Sequence, residues 1–179
     1  MPEFFNNSLG MKLTLRQVAE EIIRFMTSEP KWKYKIMIGT DSERLSDGRA
    51  DFVTATVVHR VGNGGRYFWR RAQLGKFHTL RDRIIREVLI SIDLGKEILV
   101  ELRNLSAEAG PGLRPPKADS GEVKEGMPEW DFEIHADVGE NGPTKAMIQE
   151  VVGMIRAHDF EAITKPDSCA ASNVADRHV

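Results

Sequence analysis

The spacing of apolar positions in the first half of the chain predicts one helix followed by three strands. Between residues 14 and 26 apolar side chains recur at helical spacing, and Thr14 with Gln17 gives a capping-box pattern at the start of this amphipathic helix. Three strand-like runs follow, at 34–41, 51–60 and 65–73. Their connections are short and contain turn-forming residues, which favours an antiparallel meander.

The pattern in the second half alternates between helix and strand. Thr79 is placed to cap a long helix over 80–102, in which Gly95 is a weak point but does not end the helix. A strand, a helix, a short strand and a last alanine-rich helix follow, over 130–139, 143–158, 160–165 and 166–179. This order predicts an α/β fold with a mixed five-stranded sheet, made of an antiparallel meander plus βαβ crossovers. Helices are expected on both faces of the sheet, with an extra helix at the N-terminus.

One segment interrupts this order. Residues 104–129 contain four prolines and four glycines and show no apolar period, which predicts a flexible insertion. Neither flank has enough elements to fold alone, so we expect a single domain over residues 1–179 with the insertion inside it.

Composition is typical of a globular protein and points to the cytoplasm. The chain has 179 residues, of which 41% are hydrophobic and 29% charged. No apolar run approaches the roughly 18 to 20 residues of a membrane helix, so we expect no membrane association. The first residues lack the basic and apolar regions of a secretory signal. The single cysteine, Cys169, excludes an internal disulfide and fits a reducing compartment.

Charge is unevenly distributed, although the net charge is only −2. Residues 60–86 carry eight basic side chains against one acid, and residues 101–133 carry eight acids against four bases. A local basic tract can supply phosphate contacts for a nucleic acid, whereas the ordinary role of a charge run is a solvated surface.

Two aspartates end strand-like runs. Asp41 ends the first predicted strand and Asp137 lies near the end of the fourth. In a sheet of this order the two strands can lie side by side and parallel, which brings both carboxylates to one edge. Like charges at close range repel and raise one pKa, and a shared divalent cation removes this penalty. Glu87 on the long helix and Asp176 on the last helix are placed to join them.

Other roles are open for some of these acids. Glu87 could form an ordinary intrahelical pair with Arg83, and Asp82 competes with it as a ligand. Glu43 offers a variant, because residues 41–43 match the D-x-E pattern of DnaQ-like exonucleases, in which both acids bind metal.

Three segments resemble one known family. They read "IGTDS", "IHADVG" followed by "NGPTKAMIQEVVGM", and "KPDSCAASNVADR". With the order of elements, they resemble the YkuK-like family of bacterial ribonuclease H-like proteins over about residues 36–178. Family members mostly carry "IHIDIG" where this chain has "IHADVG". The resemblance implies a ribonuclease H-like fold, with acids on strand one, the first crossover helix, the end of strand four and the final helix.

The resemblance also implies phosphodiester hydrolysis with two ions of Mg²⁺ or Mn²⁺, acting on a nucleic acid that could be DNA or RNA. The implied catalytic and metal-binding residues are Asp41, Glu87, Asp137 and Asp176. Lys165, just before the last helix, would contact a phosphate oxygen. The basic face of the third strand would hold the backbone, and Tyr67, Phe68 or Trp69 would stack on a base.

Three functions are therefore compared. The first is a metal-dependent nuclease, and the second is a non-catalytic nucleic-acid-binding module with the same fold. The third is a nucleotide-binding phosphotransferase related to actin-like ATPases. It is the weakest of the three, because such enzymes need two domains and glycine-rich phosphate loops, for which 179 residues leave no room.

Overall fold

One mixed seven-stranded sheet organises the molecule. The computed structural model describes residues 3–108 and 128–178. The strands are β1 (Phe5–Asn7), β2 (Lys12–Leu13), β3 (Tyr34–Arg44), β4 (Arg49–Arg60), β5 (Gly65–Lys76), β6 (Trp130–His135) and β7 (Glu161–Ile163). Their order across the sheet is β2-β1-β5-β4-β3-β6-β7. The pairs from β2 to β3 are antiparallel, whereas β3–β6 and β6–β7 are parallel.

Three α-helices and three short helical segments complete the described chain. The α-helices are α1 (Leu15–Ser28), α2 (Leu80–Glu108) and α3 (Ile148–Arg156). The short segments are a 3₁₀ turn (Lys145–Met147), a π-helical segment (Ala170–Ala175) and a second 3₁₀ turn (Asp176–His178). The predicted capping box of α1 is confirmed, since Gln17 N donates to Thr14 Oγ1 and Thr14 N donates to Gln17 Oε1.

The two faces of the sheet are covered unequally. On one face Ile36 and Ile38 of β3 belong to the main core, which the apolar sides of α1, α2 and α3 complete. On the other face Val53 and Ala55 of β4 pack against Ala175 of the π-helical segment. Side chains alternate between the two faces along each strand. This alternation decides which polar residues face the α-helices and which face the π-helical segment.

The parallel β3–β6 pair positions the ends of two strands together. Its register runs from Tyr34 opposite Trp130 to Gly39 opposite His135. β6 ends there while β3 continues to Arg44, and Asp137 and Asp41 each lie two residues beyond this last pair.

The prediction of a five-stranded sheet is wrong in number. The hairpin β1–β2 precedes α1 and adds two strands beside β5, so α1 is not a lone N-terminal addition. These strands have three and two residues, too few for any alternation to be visible in the sequence. The last helix is also shorter than predicted, because residues 166–168 form a turn and a bend and are not helical.

The predicted insertion overlaps the end of α2. This helix continues to Glu108, so residues 104–108 are helical. The remainder of the predicted insertion, residues 109–127, lies outside the described residues.

None of the helices in residues 3–108 and 128–178 combines the length and the apolar character needed to cross a lipid bilayer.

Candidate functional site

Asp41 lies near the end of β3, on the face that the π-helical segment covers. It pairs in register with Val53, and directly paired residues share a face of the sheet. Its carboxylate Oδ1 accepts a hydrogen bond of 2.8 Å from Ser42 N. Burial raises the pKa of Asp41 to about 6 against the opposing effect of this bond, and Asp137 and Asp176 add to the rise. Asp41 thus lies in a region of excess negative charge.

Glu87 reaches the same region from α2. Its side chain is nearly buried, with 7% of the residue exposed, and Oε1 accepts a hydrogen bond of 2.6 Å from Ser42 Oγ. Burial raises the pKa of Glu87 to about 8, and Asp41 and Asp137 raise it further while Ser42 and Arg83 oppose them. Arg83 Nη1 donates to the Ser42 carbonyl at 2.6 Å, which fastens the start of α2 to the end of β3.

Asp137 lies just after β6 and pairs with a lysine. Lys165 Nζ is 2.9 Å from Asp137 Oδ2, and Lys165 N donates to the Val138 carbonyl at 2.9 Å. A methyl group added at Gly139 would lie 2.9 Å from Lys165 Cβ, so glycine permits this close approach. The basic side chain predicted to contact phosphate therefore sits beside one of the predicted acids.

Asp176 begins the final 3₁₀ turn and is exposed. Ala175 before it is fully buried against β4, which holds the turn over the face that carries Asp41. Asp176 lies close enough to Asp41 to help raise the pKa of the Asp41 carboxyl group.

Four acids from four parts of the chain thus act on one another at one edge of the sheet. They do not form a ready-made ion site: within residues 3–108 and 128–178, no three histidine, cysteine or acidic side chains are arranged to hold a metal ion. Ser42 engages Glu87, and Lys165 engages Asp137. These protein partners offset part of the charge of the acids.

The two alternative acids are exposed, unlike Glu87. Asp82 is exposed in the first turn of α2, where its N–H donates to Thr79 Oγ1. It lines a separate surface depression with Phe77. Glu43 is exposed on β3, two residues beyond Asp41.

The basic tract of residues 60–86 does not form one surface. Arg60 and Arg70 are buried; Arg60 pairs with Glu29, and Arg70 lies 4.9 Å over the Phe5 ring. Alternation along β5 sends Arg71 to the opposite face. The expected single basic face on the third predicted strand is therefore divided between the two sides of the sheet.

The aromatic candidates are divided in the same way. Phe68 is 2% exposed in the main core and is excluded as a stacking residue. Tyr67 and Trp69 point to the face that Asp41 shares, and both rings contact His178.

Sequence reasoning missed a buried polar chain beside the site. Glu133 Oε1 is 2.5 Å from Lys35 Nζ, and its Oε2 is 3.0 Å from His135 Nε2. Ala170 N donates to His135 Nδ1 at 3.3 Å, which attaches the π-helical segment to β6. The spacing of Glu133 and His135 on one face of a strand was the available signal, because residues two apart share a face.

A sheet with a central parallel pair, acids at its edge and a long helix carrying a further acid defines the ribonuclease H-like class. The chain belongs to this family: the family model described as Ribonuclease H-like matches residues 17–179. The chain is also 30% identical over 178 residues to uncharacterized protein YkuK of Bacillus subtilis (strain 168), covering 97% of this chain and 95% of that protein.

These matches confirm the YkuK-like resemblance of the three sequence segments. A search of solved structures gave no match. A ribonuclease H-like domain points to a nuclease-type or nucleic-acid-related function.

Proposed function

We propose that the protein is a metal-dependent nuclease that hydrolyses phosphodiester bonds with two divalent ions, Mg²⁺ or Mn²⁺. The observation that carries this proposal is that Asp41 interacts electrostatically with three acids from other elements, Glu87, Asp137 and Asp176. Carboxylate oxygens are the ligands that hard divalent cations prefer. The raised pKa values of Asp41 and Glu87 indicate uncompensated negative charge, which such ions would neutralise.

Each acid has a part in this proposal. Asp41, which interacts electrostatically with the other three acids, would hold the ions together with Glu87, Asp137 and Asp176. Bound ions would supply a water of lowered pKa and would stabilise the charge that develops on the phosphate and the leaving oxygen. Ser42 holds Glu87 in place through its hydroxyl group, and Arg83 holds Ser42 through its carbonyl.

Lys165 would have two successive partners. Its ammonium group neutralises Asp137 at 2.9 Å. If bound ions took over this neutralisation, the Lys165 ammonium group would be available for a non-bridging oxygen of the substrate phosphate.

Cleavage by the purified protein tests this function. With Mn²⁺ present, single-stranded DNA, RNA and an RNA–DNA hybrid are offered separately, and we expect at least one to be cut. Asp41→Asn should reduce cleavage by more than about 100-fold, because it removes the central ligand. The same change relieves repulsion, so the thermal melting temperature should not fall.

The matched control is Asp47→Asn. Asp47 is an exposed acid in the turn between β3 and β4 and pairs with Arg49 at 2.7 Å. This variant should cleave as the unaltered protein does. Equal activity of the Asp41 and Asp47 variants would contradict the proposed site.

The second candidate function is a non-catalytic nucleic-acid-binding module. The Lys165–Asp137 pair favours it, because an internal cation there could make bound ions unnecessary. In that case no substrate is cut, whereas binding to oligonucleotides weakens steeply as salt rises. We also propose a cytoplasmic location, which rests on the single cysteine.

A further inference from the structure

A side chain from the final 3₁₀ turn covers the aromatic face of β5. The His178 imidazole stacks on Trp69 with ring centroids 4.3 Å apart and planes 9° from parallel. Tyr67 flanks the same imidazole at 5.9 Å and 36°. Arg71 Nη2 donates to the His178 carbonyl. Three residues of β5 therefore hold one flat ring against the sheet.

The Trp69 ring is held rigidly beneath this imidazole. Trp69 packs against the small cluster of Val53, Ala55 and Ala175 and pairs in register with Ala55. On its other side β5 pairs with β1, where Asn6 lies opposite Trp69. Because the Trp69 ring is already fixed by these contacts, it can bind another flat group in place of the imidazole without a further loss of conformational entropy.

This aromatic face lies close to the acids of the candidate site. Asp41 pairs with Val53, and Val53 pairs with Arg71, so Arg71 lies two strand spacings, about 10 Å, from Asp41. All three share one face of the sheet. A nucleic-acid strand that crosses the acids in the direction of β5 would therefore reach Arg71 and Trp69.

Arg71 is prepared to contact the backbone of such a strand. Its Nε lies 3.4 Å from Asp51 Oδ2, and Asp51 is buried beneath it. That ion pair orients the guanidinium, whose other end donates to the His178 carbonyl. When His178 leaves, this donor is available to a phosphate oxygen, the usual backbone partner of arginine.

We propose that Trp69 is a stacking site for an unpaired nucleobase and that His178 covers it when no strand is bound. Imidazole is the five-membered part of a purine, so its parallel stack on Trp69 resembles the arrangement of a bound base. A base in a duplex already stacks on its neighbours, and only an unpaired base presents a face to a protein ring. The inference rests on the proposed function and names its substrate class: a strand that is unpaired next to the cleavage site.

Binding measured without catalysis tests the inference. Fluorescently labelled oligodeoxyadenylate and oligoriboadenylate are titrated with the full chain in the presence of a chelator, and anisotropy is followed. Trp69→Ala should weaken binding about tenfold, whereas Trp69→Phe, which keeps a ring, should lose much less. His178→Ala should bind several-fold more tightly than the unaltered protein, because the competing ring is gone.

Two controls make the result specific. His158→Ala removes an exposed histidine at the end of α3 and should leave binding unchanged. Competition with a blunt duplex of the same length should be weak, since its bases are paired. The inference is overturned if Trp69→Ala binds like the unaltered protein, if His178→Ala binds no more tightly, or if no oligonucleotide binds at all.

The outcome is separable from that of the proposed function. Cleavage that depends on Asp41, with no effect of the Trp69 and His178 variants on binding, would reject the stacking site and leave the nuclease. Binding that depends on Trp69, with no cleavage of any substrate, would do the reverse.

Discussion

Glu87 is an acid held in an environment that favours its protonated form. Its pKa is about 8 in the folded protein against an ordinary value of 4.5, mainly because it is buried. Between these values the folded state binds more protons than the unfolded state. The contribution of Glu87 is therefore complete below about pH 4.5 and is lost as pH rises through about 8.

This titration gives a prediction at the residue scale. In the presence of a chelator, the free energy of unfolding should fall between pH 5 and pH 8, and Glu87→Gln should remove most of this fall. A glutamine at this position can still accept the hydrogen bond of Ser42 Oγ. Urea denaturation at a series of pH values measures the slope. Glu43 is an exposed acid on β3, so the Glu43→Gln variant should keep the same fall in stability with pH. An unchanged slope in the Glu87→Gln variant would contradict the assignment of this fall to Glu87.

At the scale of elements, one glycine of α2, Gly95, allows this helix to pack closely on the sheet. A methyl group added at Gly95 would lie 3.1 Å from Phe160 Cζ and 3.2 Å from Ile134 Cδ1. Gly95 therefore lets the helix approach β6 and the segment before β7. Glycine in a helix interior lowers the stability of the helix, and here it permits close packing of α2 on the sheet.

Two glycine variants test this contact. Gly95→Val should destabilise the protein by about 1–3 kcal/mol, because overpacking outweighs the gain in helix propensity. Gly153→Ala in α3 should stabilise it by about 0.5–1 kcal/mol, since nothing lies within 4 Å of an added methyl group. Urea unfolding followed by circular dichroism compares them, and shifts in the same direction would refute the packing argument.

The sequence indicated these elements where the pattern was long enough. The meander and α2 extend over ten or more residues each, so alternation and helical period were visible. β1 and β2 could not be seen in the sequence, because they form by pairing, β1 with β5 and β2 with β1, and have no pattern of their own. Asp137 follows the end of β6 closely, as predicted, whereas β3 continues three residues beyond Asp41 to Arg44.

The partners of the acids could not be predicted in the same way. The Ser42–Glu87 bond and the Lys165–Asp137 pair join residues far apart in the chain. They depend on side-chain rotamers and on the docking of whole elements. The stack of His178 on Trp69 likewise depends on how the π-helical segment lies across β4.

At the scale of the molecule, the four acids join β3, α2, the end of β6 and the final turn. On the proposed function, an ion that binds them stabilises the folded state alone. Mn²⁺ at about 100 times its dissociation constant should raise the free energy of unfolding by about 2.7 kcal/mol. Thermal melting measures this, and Asp137→Asn should abolish most of the rise while Asp47→Asn keeps it. An equal rise in both variants would indicate unspecific binding.

β3 has a hydrogen-bonded neighbour on each side between Tyr34 and Gly39, and it pairs with β4 along its whole length. At Asp41 the partner of β3 is Val53 of β4, so Asp41 shifts only together with this strand pair. Asp176 lies instead in a 3₁₀ turn of three residues that also carries His178. On the proposed function, this turn would adapt to cations of different size, and its displacement would also open or close access to the Trp69 ring. One short segment would then influence both which ions bind and whether a nucleic-acid strand can reach Trp69.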